Sequence, residues 1–320
     1  MKRKKVLIDT DPGIDDALAL ILALGSPELD VAAITTVCGN VDVDTATRNL
    51  FTVLNLLPGP WPVLARGAAR PLVREPFPAS HIHGLDGLGD RQCSISGSDD
   101  QPLHGLLSPR DGADEILHQL NSALQPLTIV SLGPLTNLAL ARNRQPDLFS
   151  RVKELIMMGG AYLGPGNITP AAEFNIFADP EAAETVMASG IPITAVGLDI
   201  TRQVRLDRQT IEELVQDRSS RVSRSIQAWT GQLLETMHSM EGSPSIPLHD
   251  PLAVLVCLNP DLVRTQSMHV EVETQGRWTT GMTLADRRPL GPSWKAGPNL
   301  EVCVEVKAER ALRTFLERIP

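Results

Sequence analysis

Four carboxylates fall within the eight-residue run Asp9-Thr10-Asp11-Pro12-Gly13-Ile14-Asp15-Asp16. Like charges this close oppose one another's ionisation unless something positive compensates, and a bound divalent cation is the simplest compensation. All the donors in the run are oxygens, with no Cys or His nearby, so the expected ion is hard, Ca2+ or Mg2+, and not zinc. A plainer reading makes Asp15 and Asp16 caps of a helix that begins near Ala17, where free N–H groups and the helix dipole favour carboxylates. That reading leaves Asp9 and Asp11 unexplained on the strand side of a Pro-Gly turn. Far downstream, Leu248-His249-Asp250-Pro251 sets a His and an Asp side by side where an apolar helix opens, with Pro251 suited to the first helical position. A third cluster, Gly166 to Asn175, offers Asn167, Glu173 and Asn175, two amides and a carboxylate suited to grasping sugar hydroxyls.

The elements that must position these groups follow from apolar periodicity. Short apolar runs at Val6–Ile8, Val31–Val37, Leu127–Val130, Leu155–Met158 and Ile193–Val196 alternate with stretches of helical period at Ala17–Leu24, Thr45–Leu57, Ala113–Leu124 and Pro180–Ser189. Continuous apolar strands between helices indicate an α/β fold, a doubly wound, mainly parallel sheet covered on both faces. Further helices are expected over Asp207–His238 and Asp250–Leu258, a loop over Glu241–Pro247, and C-terminal strands around Val270 and Val302 before a final helix from Ala308. In such a sheet ligands bind beyond the carboxyl ends of the strands. There lie the first acidic run, then Cys38-Gly39-Asn40, Ser131-Leu132-Gly133-Pro134 and Met158-Gly159-Gly160. One domain over residues 1–320 is expected, with a long loop from Pro71 to Pro109.

The chain carries 29 basic and 38 acidic side chains for a net charge of −9, which argues against a surface built for nucleic acid or for an anionic membrane. No apolar run is long enough to cross a bilayer. Cys38, Cys93, Cys257 and Cys303 form no C-x-x-C pair, so neither a zinc site nor a disulfide framework is indicated. A reduced cytoplasm is the expected location.

Taken together, these clusters resemble the nucleoside hydrolase family, ribohydrolases that split a nucleoside into ribose and free base. The likeness is ordered along the chain: Asp9 to Ala17, Thr35-Thr36-Val37-Cys38-Gly39-Asn40, His83-Gly84, Gly133-Pro134-Leu135-Thr136-Asn137, Met158-Gly159-Gly160, Glu173-Phe174-Asn175 with Asp179-Pro180-Glu181-Ala182-Ala183, and His249-Asp250. Val272-Glu273-Thr274-Gln275-Gly276 and the overall spacing look closest to the bacterial broad-specificity purine and pyrimidine ribonucleoside hydrolases. The resemblance implies a single Ca2+ held by Asp11, Asp16, Asp250 and the backbone carbonyl of Leu132. It implies that Asp15, Asn167, Glu173 and Asn175 hold the ribose hydroxyls, that Asn40 stands beside the attacking water, and that His249 lies near the departing base. His83 and His238 are further candidates on the base side, Met158 is expected at the substrate, and Phe174, Trp229 or Tyr162 could stack on the base. Where many relatives carry a Glu after His83-Gly84, this chain has Leu85. A homodimer or homotetramer serving nucleoside salvage is also implied.

The implied ligand set suits the implied chemistry. Three carboxylates and a carbonyl give fewer oxygens than the roughly 6–8 that Ca2+ takes. A water and the vicinal ribose hydroxyls can complete the shell. Asp11 can take the proton of that water, while nearby carboxylates stabilise an oxocarbenium-like state. His249 is the candidate acid because imidazole titrates near neutral pH. Two rivals stand beside this reading. Asp9-x-Asp11 after a strand also resembles the aspartyl-nucleophile phosphatases of the haloacid dehalogenase type, although Pro12-Gly13 follows where those have Thr or Val. A calcium-dependent nucleoside binder on the same fold would lack any need for Asp11, Asn40 and His249 together.

Overall fold

The computed structural model of the chain describes residues 3–90, 105, 107–218, 220–288 and 297–320. Its centre is an eight-stranded sheet. Six of its strands meet the sequence expectation: β1 (Lys4–Thr10), β2 (Leu29–Thr36), β4 (Thr128–Ser131), β5 (Glu154–Met158), β6 (Ile193–Val196) and β12 (Leu300–Val306). The sheet is completed by β3 (Val63–Arg66) and β9 (Val263–Met268), in the order β3-β2-β1-β4-β5-β6-β12-β9, while the strand expected around Val270 is β10 (Val270–Val272), paired outside this sheet with β11 (Thr283–Ala285). All pairings are parallel except β9 with β12. Val6, Leu7 and Ile8 have no exposed surface because helices cover both faces of the sheet, which is why β1 reads as an unbroken apolar run.

The strand order reverses between β1 and β4. From β1 the chain moves outward to β2 and β3, then returns to place β4 on the other side of β1. Crossover connections diverge at such a point and leave a crevice at the carboxyl ends of the two strands. Into it run the acidic segment after β1 and the Leu132-Gly133-Pro134 turn after β4. The helix Ile14–Leu24 starts immediately beyond the Pro-Gly turn, three residues earlier than periodicity suggests. It packs against the helix His249–Leu258, so the first acidic run and His249-Asp250 arrive together. Both helices are apolar nearly all round and accordingly buried.

Several motif residues are struts. Asp9 has no exposed surface and accepts from the Thr35 hydroxyl and from Asn137 Nδ2, the latter at 2.7 Å. Asn137 Nδ2 also donates to the Thr36 carbonyl at 2.9 Å, and its Oδ1 accepts from the Ala68 amide at 2.8 Å. One side chain thus joins β1, β2 and the segment after β3. Thr136 donates to Asp179 at 2.6 Å, and Asp179 caps the helix Pro180–Met187 through the Ala182 amide at 3.0 Å. Burial pushes Asp9 up to about 7, against the pull of its Asn137 and Thr35 hydrogen bonds.

Differences from the sequence expectation lie in short or exposed pieces. Within the expected loop Glu241–Pro247, Ser245–Pro247 is a strand (β8) paired antiparallel with β7 (Arg205–Asp207). Three residues are too few for a period-2 signal, and only Leu206 opposite Ile246 marks the pair as buried. Edge strand β9 is mostly exposed and polar. The helical stretch expected over Asp207–His238 comprises Arg208–Arg218 and Arg221–Glu241, the second running on to the first residue of the expected loop. Cys38, Cys257 and Cys303 are buried free thiols, while Cys93 and residues 91–104 of the long loop lie outside the described residues. Among the described residues, no helix is long and apolar enough to cross a membrane.

Candidate active site

Beyond the carboxyl ends of β1, β4 and β5 lies a cavity of about 320 Å³. Its wall carries Asp15, Asn40, His83, Leu132, Met158 and Asn167, together with Glu173, Phe174, Asn175, His249 and Asp250. Asp11 and Asp16 have no exposed surface. They take part in the same carboxylate cluster, as the contacts below establish.

Asp16 reconciles the two readings of the acidic run. Its Oδ2 accepts from the Gly13 amide at 3.0 Å, the reach-back of a helix cap. It also accepts from Asn40 Nδ2 at 3.0 Å, and its Oδ1 accepts from the Thr10 hydroxyl at 2.5 Å. The helix cap is therefore also a member of the acidic cluster. Asp11 is pinned differently: Oδ2 accepts from the Asn40 amide at 2.7 Å, while Oδ1 is buried with no hydrogen-bond partner among the described residues. Asp15 Oδ1 is likewise buried without such a partner, 4.0 Å from His83 Nδ1.

The carboxylates of Asp15, Asp16 and Asp250 offer oxygens within 4.8 Å of one another. This group includes Asp15, which the resemblance assigns to ribose, and leaves out Asp11, which the resemblance assigns to the metal. Asp11 feels the charges of Asp16 and Asp15, and Asp250 feels those of Asp15, Asp16 and Asp11. Burial first and these like charges second push Asp11 and Asp250 well above the usual carboxylate range, and Asp15 up to about 7. Such a group of buried acids, two of them with orphaned oxygens and, among the described residues, none facing a basic partner within ion-pair distance except His83, fits a hard cation in donor type and in charge.

Glycines make room for it. A Cβ on Gly39 would sit 2.0 Å from Asp11 Oδ2, and one on Gly133 would sit 2.4 Å from Asp11 Oδ1. A Cβ on Gly13 would lie 2.7 Å from His83 Nδ1. Gly133→Ala is therefore expected to displace Asp11, lowering kcat/KM for ribose release by about 100-fold and stability by about 1–3 kcal/mol. Activity and Tm measured beside Gly297→Ala check this, since Gly297 has open space around it.

The sugar-side candidates are already engaged by backbone. Glu173 is the N-cap of the helix Phe174–Ala178 and accepts from the Asn175, Ile176 and Gly160 amides at 2.9, 3.2 and 2.9 Å. Burial raises its pKa against the pull of these three donors. Asn175 Nδ2 donates to the Leu132 carbonyl at 2.6 Å and to the Met158 carbonyl at 3.2 Å, tying together the turns after β4 and β5. Asn167 is exposed, and its Oδ1 accepts from the Phe174 amide at 2.9 Å.

On the other side, His249 differs from the expectation of a ring that titrates near neutral pH. Burial, with the positive charges of Arg202 and Arg205, pushes it down to about 3, so the imidazole is neutral at physiological pH. Its Nδ1 is 2.7 Å from Thr201 Oγ1. His238 is exposed and absent from the wall, which Leu233 and Met237 reach from the same helix. Of the three aromatic candidates only Phe174 faces the cavity; Trp229 and Tyr162 are core, the Tyr162 hydroxyl donating to the Gly159 carbonyl at 3.0 Å. Leu85 is 83% exposed and off the wall, so the departure from the family pattern there does not touch the cavity.

Wall residues that sequence reasoning missed include Ile82, Ile168, Arg202, Leu233 and Met237. Arg202 follows β6 as the other site residues follow their strands, so reading that strand end would have found it. Its guanidinium donates to the Pro165 and Gly166 carbonyls at 3.0 and 2.7 Å.

Residues 6–313 match the family model described as inosine-uridine preferring nucleoside hydrolase. The chain belongs to the nucleoside hydrolase family. It is accordingly an N-ribohydrolase by kinship. Among relatives of this nucleoside hydrolase, the pyrimidine-specific ribonucleoside hydrolase RihA of Salmonella schwarzengrund is 40% identical over 98% of this chain and 97% of the relative. Among solved structures, a plant nucleoside hydrolase superposes with a TM-score of 0.87 at 34% identity, covering 99% of this chain and 98% of that one. A purine-preferring ribonucleoside hydrolase from Gardnerella vaginalis gives a TM-score of 0.89 at 30% identity, with the same coverage of both chains.

Proposed function

We propose that this nucleoside hydrolase cleaves the N-glycosidic bond of both purine and pyrimidine ribonucleosides with the help of a calcium ion held by Asp11, Asp16, Asp250 and the Leu132 carbonyl. The observation that carries the reading is the cluster of buried carboxylates with orphaned oxygens at a cavity lined by Asn167, Glu173 and Asn175. When bound, the ion supplies Lewis acidity toward water and a fixed positive charge for the vicinal ribose hydroxyls.

The protein's own groups do the rest. Asn40 holds Asp11 Oδ2 through its amide, which leaves Oδ1, without a donor among the described residues, to take the proton of the attacking water. Asp15, Glu173, Asn167 and Asn175 hold the ribose, and the orientation of Glu173, Asn167 and Asn175 is set in advance by the backbone contacts described above. As the glycosidic bond lengthens, positive charge grows on the sugar and the surrounding carboxylates stabilise it. On the base side, Ile82, Ile168, Phe174, Leu233 and Met237 give an apolar wall, with Met158 beside the sugar. Such a wall accepts a flat ring without demanding one hydrogen-bonding edge, which supports a broad choice of base. His249, neutral, offers a hydrogen bond to the departing base, and His83 stands close to Asp15.

The wider setting belongs to the same proposal: one catalytic domain across the chain, in the cytoplasm, as a homodimer or homotetramer in nucleoside salvage. The test is ribose release from inosine, adenosine, guanosine, uridine, cytidine and 2′-deoxyinosine. Release from purine and pyrimidine ribonucleosides, at least about 100-fold slower from the deoxynucleoside that lacks one of the held hydroxyls, is expected. Calcium-loaded protein that releases ribose from none of them would overturn the proposal.

A further inference from the structure

His249 opens its helix directly opposite Thr201, which closes the short helix Leu198–Thr201 after β6. The two segments are held in register by the Leu248 amide donating to the Val204 carbonyl at 2.8 Å and by the pairing of Arg205 with Pro247. Thr201 has no exposed surface. Among the described residues its Oγ1 has one hydrogen-bond partner, His249 Nδ1 at 2.7 Å.

That isolation decides the direction of the bond. Were the ring to donate from Nδ1, the threonine proton would be left without an acceptor in a dry site, a costly arrangement that native interiors avoid. Donation from the hydroxyl to Nδ1 satisfies both groups. A singly protonated imidazole then carries its hydrogen on Nε2, and Nε2 has no hydrogen-bond partner among the described residues while the half-buried ring lines the cavity.

We propose that Thr201 is a positioning residue for the hydrolysis, its hydroxyl fixing the tautomer and tilt of His249 so that Nε2–H is presented to the departing base. This rests on the N-ribohydrolase reading of the cavity. The electron pair of the glycosidic bond leaves with the base, where the Nε2–H hydrogen bond stabilises it. The proton released by water to Asp11 balances the one the base takes up from solvent.

The test uses Thr201→Val and Thr201→Ser, assayed on inosine, on uridine and on 4-nitrophenyl riboside, whose leaving group needs no such help. Thr201→Val is expected to lower kcat on both nucleosides by about 30–100-fold, with KM and the nitrophenyl riboside rate within about threefold of wild type. Thr201→Ser, which keeps the hydroxyl, should restore the nucleoside rate. The 15N shifts of the His249 ring in the wild-type protein should report the Nε2–H tautomer. Equal loss on nucleosides and nitrophenyl riboside, unchanged nucleoside turnover in Thr201→Val, or a wild-type ring protonated on Nδ1 would each overturn the assignment. Should Thr201→Val fail to fold, the wild-type spectrum decides. A wild-type protein that releases ribose from no nucleoside would sink the hydrolase reading instead, while the spectrum would still test the bond.

Discussion

Asp11→Asn is expected to reduce kcat for ribose release by about 1,000- to 10,000-fold while leaving the protein folded, the upper range for removal of a general base. The substitution changes one oxygen to an amide nitrogen and adds no volume, so the close fit between Gly39 and Gly133 is kept. The Asn40 amide can still donate to the remaining oxygen, as it does to Oδ2 at 2.7 Å. What is lost is the capacity to accept a proton and one unit of negative charge from a cluster that holds Asp15, Asp16 and Asp250. Initial rates on inosine and uridine, with inosine binding followed by calorimetry, separate the two losses. Substrate that still binds without turning over supports Asp11 as base, and turnover within about tenfold of wild type removes it from that role.

Chelation should abolish ribose release and also change how stability depends on pH. Without a cation, Asp15 is pushed up to about 7, and Asp11 and Asp250 rise well above their usual range. A carboxyl whose pKa is higher in the folded than in the unfolded state contributes stability that is fully present below the unfolded value, near 3.8, and is lost as pH climbs through the folded value. The metal-free protein should therefore lose stability between about pH 4 and pH 7 and beyond. Calcium reverses this, because binding to the folded state at about 100 times Kd adds about 2.7 kcal/mol. Tm measured from pH 5 to pH 8 with chelator should fall across the series, while the calcium-loaded series stays flatter and ribose release returns with the ion. A chelated protein with the same Tm at both ends would mean that the carboxylates do not compete in the folded state.

The sheet was legible where burial on both faces writes itself as an apolar run, as in β1 with Val6, Leu7 and Ile8. It was illegible in β9, an exposed polar edge, and in β7 and β8, three residues each. The acidic floor and the sugar-side groups could be found because they follow strand ends, where a parallel sheet must place its ligands. Leu233 and Met237 could not. Two apolar residues four apart on an amphipathic helix look the same whether they face a core or a cavity. The same ambiguity let Trp229 stand as a base platform when it is buried core. The charge state of His249 was out of reach for a different reason, since it depends on burial and on Arg202 and Arg205, which spacing alone does not bring near.

Gly13, Gly39 and Gly133 carry no functional group, yet each abuts one: a single methyl at any of them would overlap His83, Asn40 or Asp11. The tolerance of this site to sequence change is thus governed by excluded volume as much as by reactive atoms. In a saturation library selected for nucleoside cleavage, these three positions should return glycine as stringently as position 11 returns aspartate. A ranking of positions by chemical character alone would leave all three out.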